Sequence, residues 1–142
     1  MVKRLAVIAM IALFPAGMSC ANQTTPKVTI PITKTTPTSG KQMYTNYCTP
    51  CHGQDGKGQG PVASSLKSQP SDLTILARTN NGKFPGSHVT AVLEFGSKIP
   101  AHGSAAMPVW GPILGKMDVT VPQDKQLRIS NLSFYLRTIQ VK

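Results

Sequence analysis

Cys48, Cys51 and His52 sit in one five-residue run, Cys48-Thr49-Pro50-Cys51-His52, whose spacing can do a specific chemistry. Residues three and four apart on a helical turn share a face. The two thiols can then each reach one edge of a large planar ring, and the next residue, His52, can turn its imidazole under the ring's centre. In an exported protein such a run reads as covalent haem attachment, with thioethers from Cys48 and Cys51 and His52 as an iron ligand. Three other readings compete. Cys48 and Cys51 could form a disulfide in an oxidising compartment. A thioredoxin-like redox pair would need a strand before the run and a helix after it. A zinc site would need two further ligands, and only His88 and His102 remain for that purpose.

A haem iron has a second axial position. The candidates are Met43, Met107, Met117, His88 and His102. Met43 lies on the helix leading into the attachment run, too close in sequence to reach the other side. Met107 follows a run of small residues, Gly103 to Ala106, that can approach a flat ring closely, and Pro108 stiffens the chain after it. Met107 is therefore the preferred ligand and Met117 its main rival. A histidine in that position would lower the reduction potential relative to a methionine. No nucleophile motif accompanies the five carboxylates of the chain, so no catalytic constellation is visible.

The elements that must position these residues are helical, since little alternating strand pattern appears anywhere. Ser39 can cap a first helix running to Tyr47, with Met43, Tyr44 and Tyr47 on one face. Four glycines between Gly53 and Gly60 force a loop. Ser71-Asp72 opens a short helix through Arg78, ended by Asn80-Asn81-Gly82. Pro85-Gly86 turns the chain, Ser87 caps a helix to Phe95, and Gly96 stands past its end. Lys98 to Trp110 reads as mostly loop. Pro122 suits the first turn of a last helix. On that helix Leu127, Leu132, Tyr135, Leu136 and Ile139 form a broad apolar face.

The ends of the chain carry other information. Lys3 and Arg4 precede ten apolar residues, Leu5 to Phe14, a run too short for a bilayer and suited to a secretion signal. Residues 1–20 are read as that signal. Gly17-Met18-Ser19-Cys20 resembles a lipoprotein box, and a cysteine left over from the attachment pair fits lipidation of Cys20. Simple removal of Cys20 with the signal is the alternative. Residues 21–38 are rich in Thr and Pro and read as an extended tether. Residues 39–142 form one small domain. From Ala21 onward the net charge is +8. The basic residues are dispersed and aromatics are few, which argues against a nucleic-acid surface. The charge fits a docking field for acidic partner proteins, or simple solubilisation.

Several segments, taken in order, resemble class I c-type cytochromes, and in particular bacterial mono-haem members. These are Gly40-Lys41-Gln42-Met43-Tyr44, the run Cys48 to Gly53, Gly56-Lys57-Gly58, Pro70-Ser71-Asp72-Leu73, Asn81-Gly82-Lys83-Phe84-Pro85 and Met107-Pro108-Val109-Trp110-Gly111. The resemblance runs from about Gly40 to Ile139. It implies an all-α, small cytochrome c fold whose first and last helices cross over one covalently bound haem c. The Gly40/Tyr44 and Leu132/Tyr135 faces are the partners for that crossing. It further implies Met107 as the distal ligand, and the carbonyl of Pro61 as acceptor of the proximal histidine's N–H. Trp110 is expected to pack at the haem pocket, with its indole N–H on a propionate or carbonyl. Arg78 and Lys83 are weaker propionate candidates. The function implied is one-electron transfer in the periplasm or at a membrane surface, by a protein that is not an enzyme. A haem subunit of a larger respiratory complex is the alternative, and an unbound Met107 would instead permit peroxidase or sensor chemistry.

Overall fold

The computed structural model describes residues 31–96, 107–117 and 123–142, and the description below concerns these. The signal, Cys20, most of the tether, His102, the small-residue loop before Met107, and Pro122 lie outside them. Among the described residues the chain is helical and has no strand.

The first helical run is continuous from Gly40 to His52 but changes pitch twice. It comprises α1 (Gly40–Met43), a π-helical turn (Tyr44–Cys48) and α2 (Thr49–His52). Ser39 caps it as expected, its hydroxyl accepting from the Gln42 N–H at 3.2 Å. The π turn widens the helix just before the attachment run, and the Thr49 hydroxyl donates back to the Thr45 carbonyl at 2.6 Å. Gly53 ends the run with φ of +78°. Short 3-10 turns follow at Ala63–Ser65, Leu73–Ile75 and Arg78–Asn80. Asp72 caps the second of these, accepting from the Thr74 N–H at 2.8 Å. The single helix expected from Ser71 to Arg78 is thus two 3-10 turns.

Three longer elements complete the fold: α3 (Gly86–Phe95), α4 (Trp110–Gly115) and α5 (Asp124–Thr138). α3 ends at Gly96 as expected, but it starts from Pro85 with no side-chain cap, so Ser87 does not serve as one. α4 was not foreseen. Its sequence, Trp-Gly-Pro-Ile-Leu-Gly, is poor in helix formers, and packing of Trp110, Gly111 and Leu114 into the core holds it.

α1 and α5 cross where the resemblance to c-type cytochromes places the crossing. A Cβ on Gly40 would fall 2.1 Å from the Asn131 carbonyl oxygen and 2.8 Å from the Tyr135 Cβ, so only glycine permits this approach. One turn on, the Tyr44 and Tyr135 rings meet at 5.2 Å. The α5 face turned inward carries the expected Leu132 and Leu136, with Tyr135 and Ile139 packed against the core, but Arg128, Ile129 and Ser133 are buried beside them and Leu127 is exposed.

The domain begins earlier than residue 39. Asn46 donates to the Thr33 hydroxyl at 3.2 Å, the Thr36 N–H donates to Gln42 at 2.9 Å, and Asn131 donates to the Pro37 carbonyl at 3.2 Å. Thr35 is buried. Residues 33–38 are therefore a strap docked across the first and last helices. Their polar side chains find partners there, which a Thr/Pro composition alone does not reveal.

Candidate haem-binding site

The cavity that matters lies between the attachment turn, the 66–76 segment, α3 and the start of α4. About 1090 Å³ of space, its open mouth included, lies among its lining residues. Cys48, Cys51 and His52 form one part of its wall, and Met107, Pro108 and Trp110 another. Leucines and valines, among them Leu73, Val89, Val92 and Leu93, make the rest mostly apolar.

The two thiols are free, not bonded to each other. Burial first, and the neighbouring Cys51 second, push the Cys48 thiol up to about 12. Burial raises Cys51 as well. Redox-active cysteine pairs need a depressed thiol, and here a helical run precedes the motif and a glycine loop follows it. Among the described residues no group of three or more His, Cys, Asp or Glu is arranged to hold a metal ion.

His52 is nearly buried, and its Nδ1 lies 3.0 Å from the Ser71 carbonyl oxygen. A carbonyl can only accept, so Nδ1 carries the proton and Nε2 keeps its lone pair. Burial pulls the imidazole below its ordinary value, and the Ser71 bond opposes this in part. The ring is therefore neutral and oriented, the state in which histidine binds a metal.

Here the structure corrects the sequence reading of Pro61. The acceptor is Ser71, while Pro61 is exposed and does not line the cavity. The reason lies in the glycine loop. The Gly58 N–H donates to the His52 carbonyl at 2.8 Å, and the Leu73 N–H donates to the Gly56 carbonyl at 2.7 Å. Gln69 donates to the Gly58 carbonyl. These bonds hook the 69–73 segment over the attachment turn and lay Ser71 on the imidazole. Gly58 has φ of +80°, and a Cβ there would meet the Pro70 carbonyl at 2.1 Å. Pro61 belongs instead to a tight turn in which the Val62 N–H returns to the Pro50 carbonyl at 3.0 Å.

Of the other ligand candidates, Met107 and His88 line the cavity. Met43 is fully buried in the core and Met117 sits elsewhere, its sulfur accepting from the Tyr47 hydroxyl at 3.4 Å. Trp110 is 2% exposed and stacks on Tyr47, ring centroids 5.5 Å apart. Arg78 and Lys83 are exposed and do not line the cavity. Sequence reasoning missed Tyr47 as a wall residue, although its place one turn before Cys51 was the available signal.

The set fits a haem: two protonated, unpaired thiols, one neutral imidazole with its Nε2 lone pair available, Met107 on another part of the wall of the same cavity, and an apolar lining. Comparison with known proteins bears on the same residues. The family model described as cytochrome c oxidase, cbb3-type, subunit III matches residues 35–120. The chain belongs to that family. It is a c-type cytochrome family, so the class I resemblance and the small all-α cytochrome fold stand, and the domain is a haem domain for electron transfer. The match begins within the docked strap, in keeping with a domain that starts before residue 39. No curated protein and no solved structure matches.

Proposed function

We propose that this cytochrome carries one electron at a time on a single haem c, joined by thioethers to Cys48 and Cys51 and ligated by His52 and Met107. The observation that carries the reading is the presence of all four side chains on the wall of one apolar cavity. Bound there, the haem supplies reversible one-electron change at its iron. The protein does the rest. Ser71 keeps the proton on His52 Nδ1, and that bond raises the basicity of the ligating nitrogen. Thioether ligation from Met107 and the apolar walls both favour the ferrous form and raise the potential. His52 and Met107 would hold the iron together and leave no position open to a substrate, which would suit electron transfer over catalysis.

Residues 1–20 act as an export signal, Cys20 takes a lipid, and residues 21–32 tether the domain above a membrane, with the strap from Thr33 docked. No helix among the described residues is long and apolar enough to cross a bilayer. The net positive charge steers acidic redox partners toward the exposed haem edge, with a salt-dependent on-rate.

Ferric absorption spectra test the ligand set. Wild type shows the weak far-red band of methionine ligation, Met107→Ala loses it, and Met117→Ala keeps it. Retention of the band in Met107→Ala refutes the assignment. A second reading is a fixed subunit of an oxidase, favoured by the family's description and by the exposed side chains of Phe95 and Phe134. Gel filtration of a detergent extract at low and high salt separates the two. A mobile carrier elutes alone at both, and a subunit elutes with its complex at both.

A further inference from the structure

Arg128 is the most unexpected residue of the core. It is 0% exposed, and on α5 it shares the buried face of Leu132 and Leu136. Its Nη1 donates to the Thr35 carbonyl at 2.8 Å and to the Thr35 hydroxyl at 3.0 Å. Its Nε and Nη2 are buried without a hydrogen-bond partner. Among the described residues no carboxylate is ion-paired with it. A guanidinium does not lose its proton in a protein, so this is a buried positive charge with no carboxylate partner among the described residues.

The charge stands one layer behind the cavity wall. The Thr35 hydroxyl lies 2.9 Å from the Tyr47 hydroxyl, the Tyr47 ring stacks on Trp110, and both rings line the cavity. Thr35, Tyr47 and Trp110 are each at most 4% exposed, so the path from guanidinium to cavity contains no solvent to screen the field.

The geometry points to Arg128 as a residue that sets the redox balance of the site. A fixed positive charge behind the wall opposes the gain of positive charge when the iron is oxidised, and so favours the reduced form. The inference rests on the haem reading above. Arg128 touches neither ligand nor ring in this account, and acts through the field alone. Buried one side-chain layer behind the cavity wall, at an effective dielectric near 20, one unit charge shifts the reduced-to-oxidised ratio by about tenfold. For one electron that is about 59 mV.

The test is a spectroelectrochemical titration of the full-length haem-loaded protein and three variants. Arg128→Met removes the charge and keeps most of the volume. Thr35→Asp keeps the arginine and supplies a carboxylate beside Nη1. Arg128→Lys retains the charge but disturbs the fit. The midpoint potential is expected to fall by about 59 mV, tenfold, in Arg128→Met and by a similar amount in Thr35→Asp, and to stay near wild type in Arg128→Lys. If Arg128→Met does not accumulate, Thr35→Asp decides alone. An unchanged potential in either neutralised protein overturns the inference. So does an equal fall in Arg128→Lys, which would make the effect one of packing. A wild-type protein with no c-type haem spectrum would instead sink the haem reading, an outcome plainly distinct from an unshifted potential.

Discussion

Replacing Gly40 by alanine attacks the helix crossing on which the haem domain is built. The added Cβ would lie 2.1 Å from the Asn131 carbonyl oxygen, 2.8 Å from its carbon and 2.8 Å from the Tyr135 Cβ. The first two are backbone atoms, so no side-chain rotation relieves the clash. α1 and α5 must separate by roughly an ångström, and overpacking of this kind costs about 1–3 kcal/mol. The separation also loosens the Tyr44–Tyr135 pair, worth about 1 kcal/mol beyond its buried area. Against this, alanine gains up to about 1 kcal/mol of helix propensity. The balance is a loss of about 3 kcal/mol at the upper end of the overpacking range. With an m value of about 1.5 kcal/mol/M, that moves the urea midpoint down by about 2 M. Urea unfolding of the haem-loaded protein, followed by far-UV circular dichroism, measures it. A Gly40→Ala protein as stable as wild type, with an unchanged m value, would refute the close crossing.

The other predictions concern the strap, the loop and one surface pair. Truncation before Ser39 removes both Arg128 hydrogen bonds and lowers stability by about 3 kcal/mol, read by thermal melts. Gly58→Ala, with φ of +80° and a Cβ 2.1 Å from the Pro70 carbonyl, costs about 3 kcal/mol in urea unfolding. Gly82→Ala, with φ of +78° and nothing within 4 Å, costs only about 1 kcal/mol. Lys125 holds the Glu94 carboxyl below its ordinary range, chiefly by hydrogen bonding. The pair's stabilisation is therefore present above about pH 4.3 and lost as pH falls through the lower folded value. Glu94→Gln should accordingly lie below wild type at pH 7 and converge with it in urea midpoints as pH falls through that lower folded value.

What the sequence made legible is what short stretches encode. The attachment run, the Ser39 cap, the glycine loop and the Gly96 stop each depend on a few consecutive residues. The Gly40/Tyr44 crossing was legible through the resemblance to class I c-type cytochromes, which implies that the first and last helices cross there. The acceptor for His52 was not, because a carbonyl belongs to every residue and Ser71 is brought to the imidazole by the Leu73 N–H and the Gln69 side-chain amide, which donate to the Gly56 and Gly58 carbonyls. α4 was hidden by its Gly and Pro, since core burial rather than propensity holds it. Arg128 was passed over because arginine belongs on surfaces. Its place four residues before Leu132 and eight before Leu136 was a signal, but the strap that receives its N–H groups comes from far along the chain.

The central claim is that the thiols of Cys48 and Cys51 are spent on one porphyrin. Mass spectrometry of protein purified from a host that matures c-type cytochromes, intact and after proteolysis, tests it in one run. The account predicts the mass of one haem added to the chain and retained by the peptide containing Cys48 to His52, with neither thiol open to alkylation. A chain at its unmodified mass, alkylated at both Cys48 and Cys51, would contradict it.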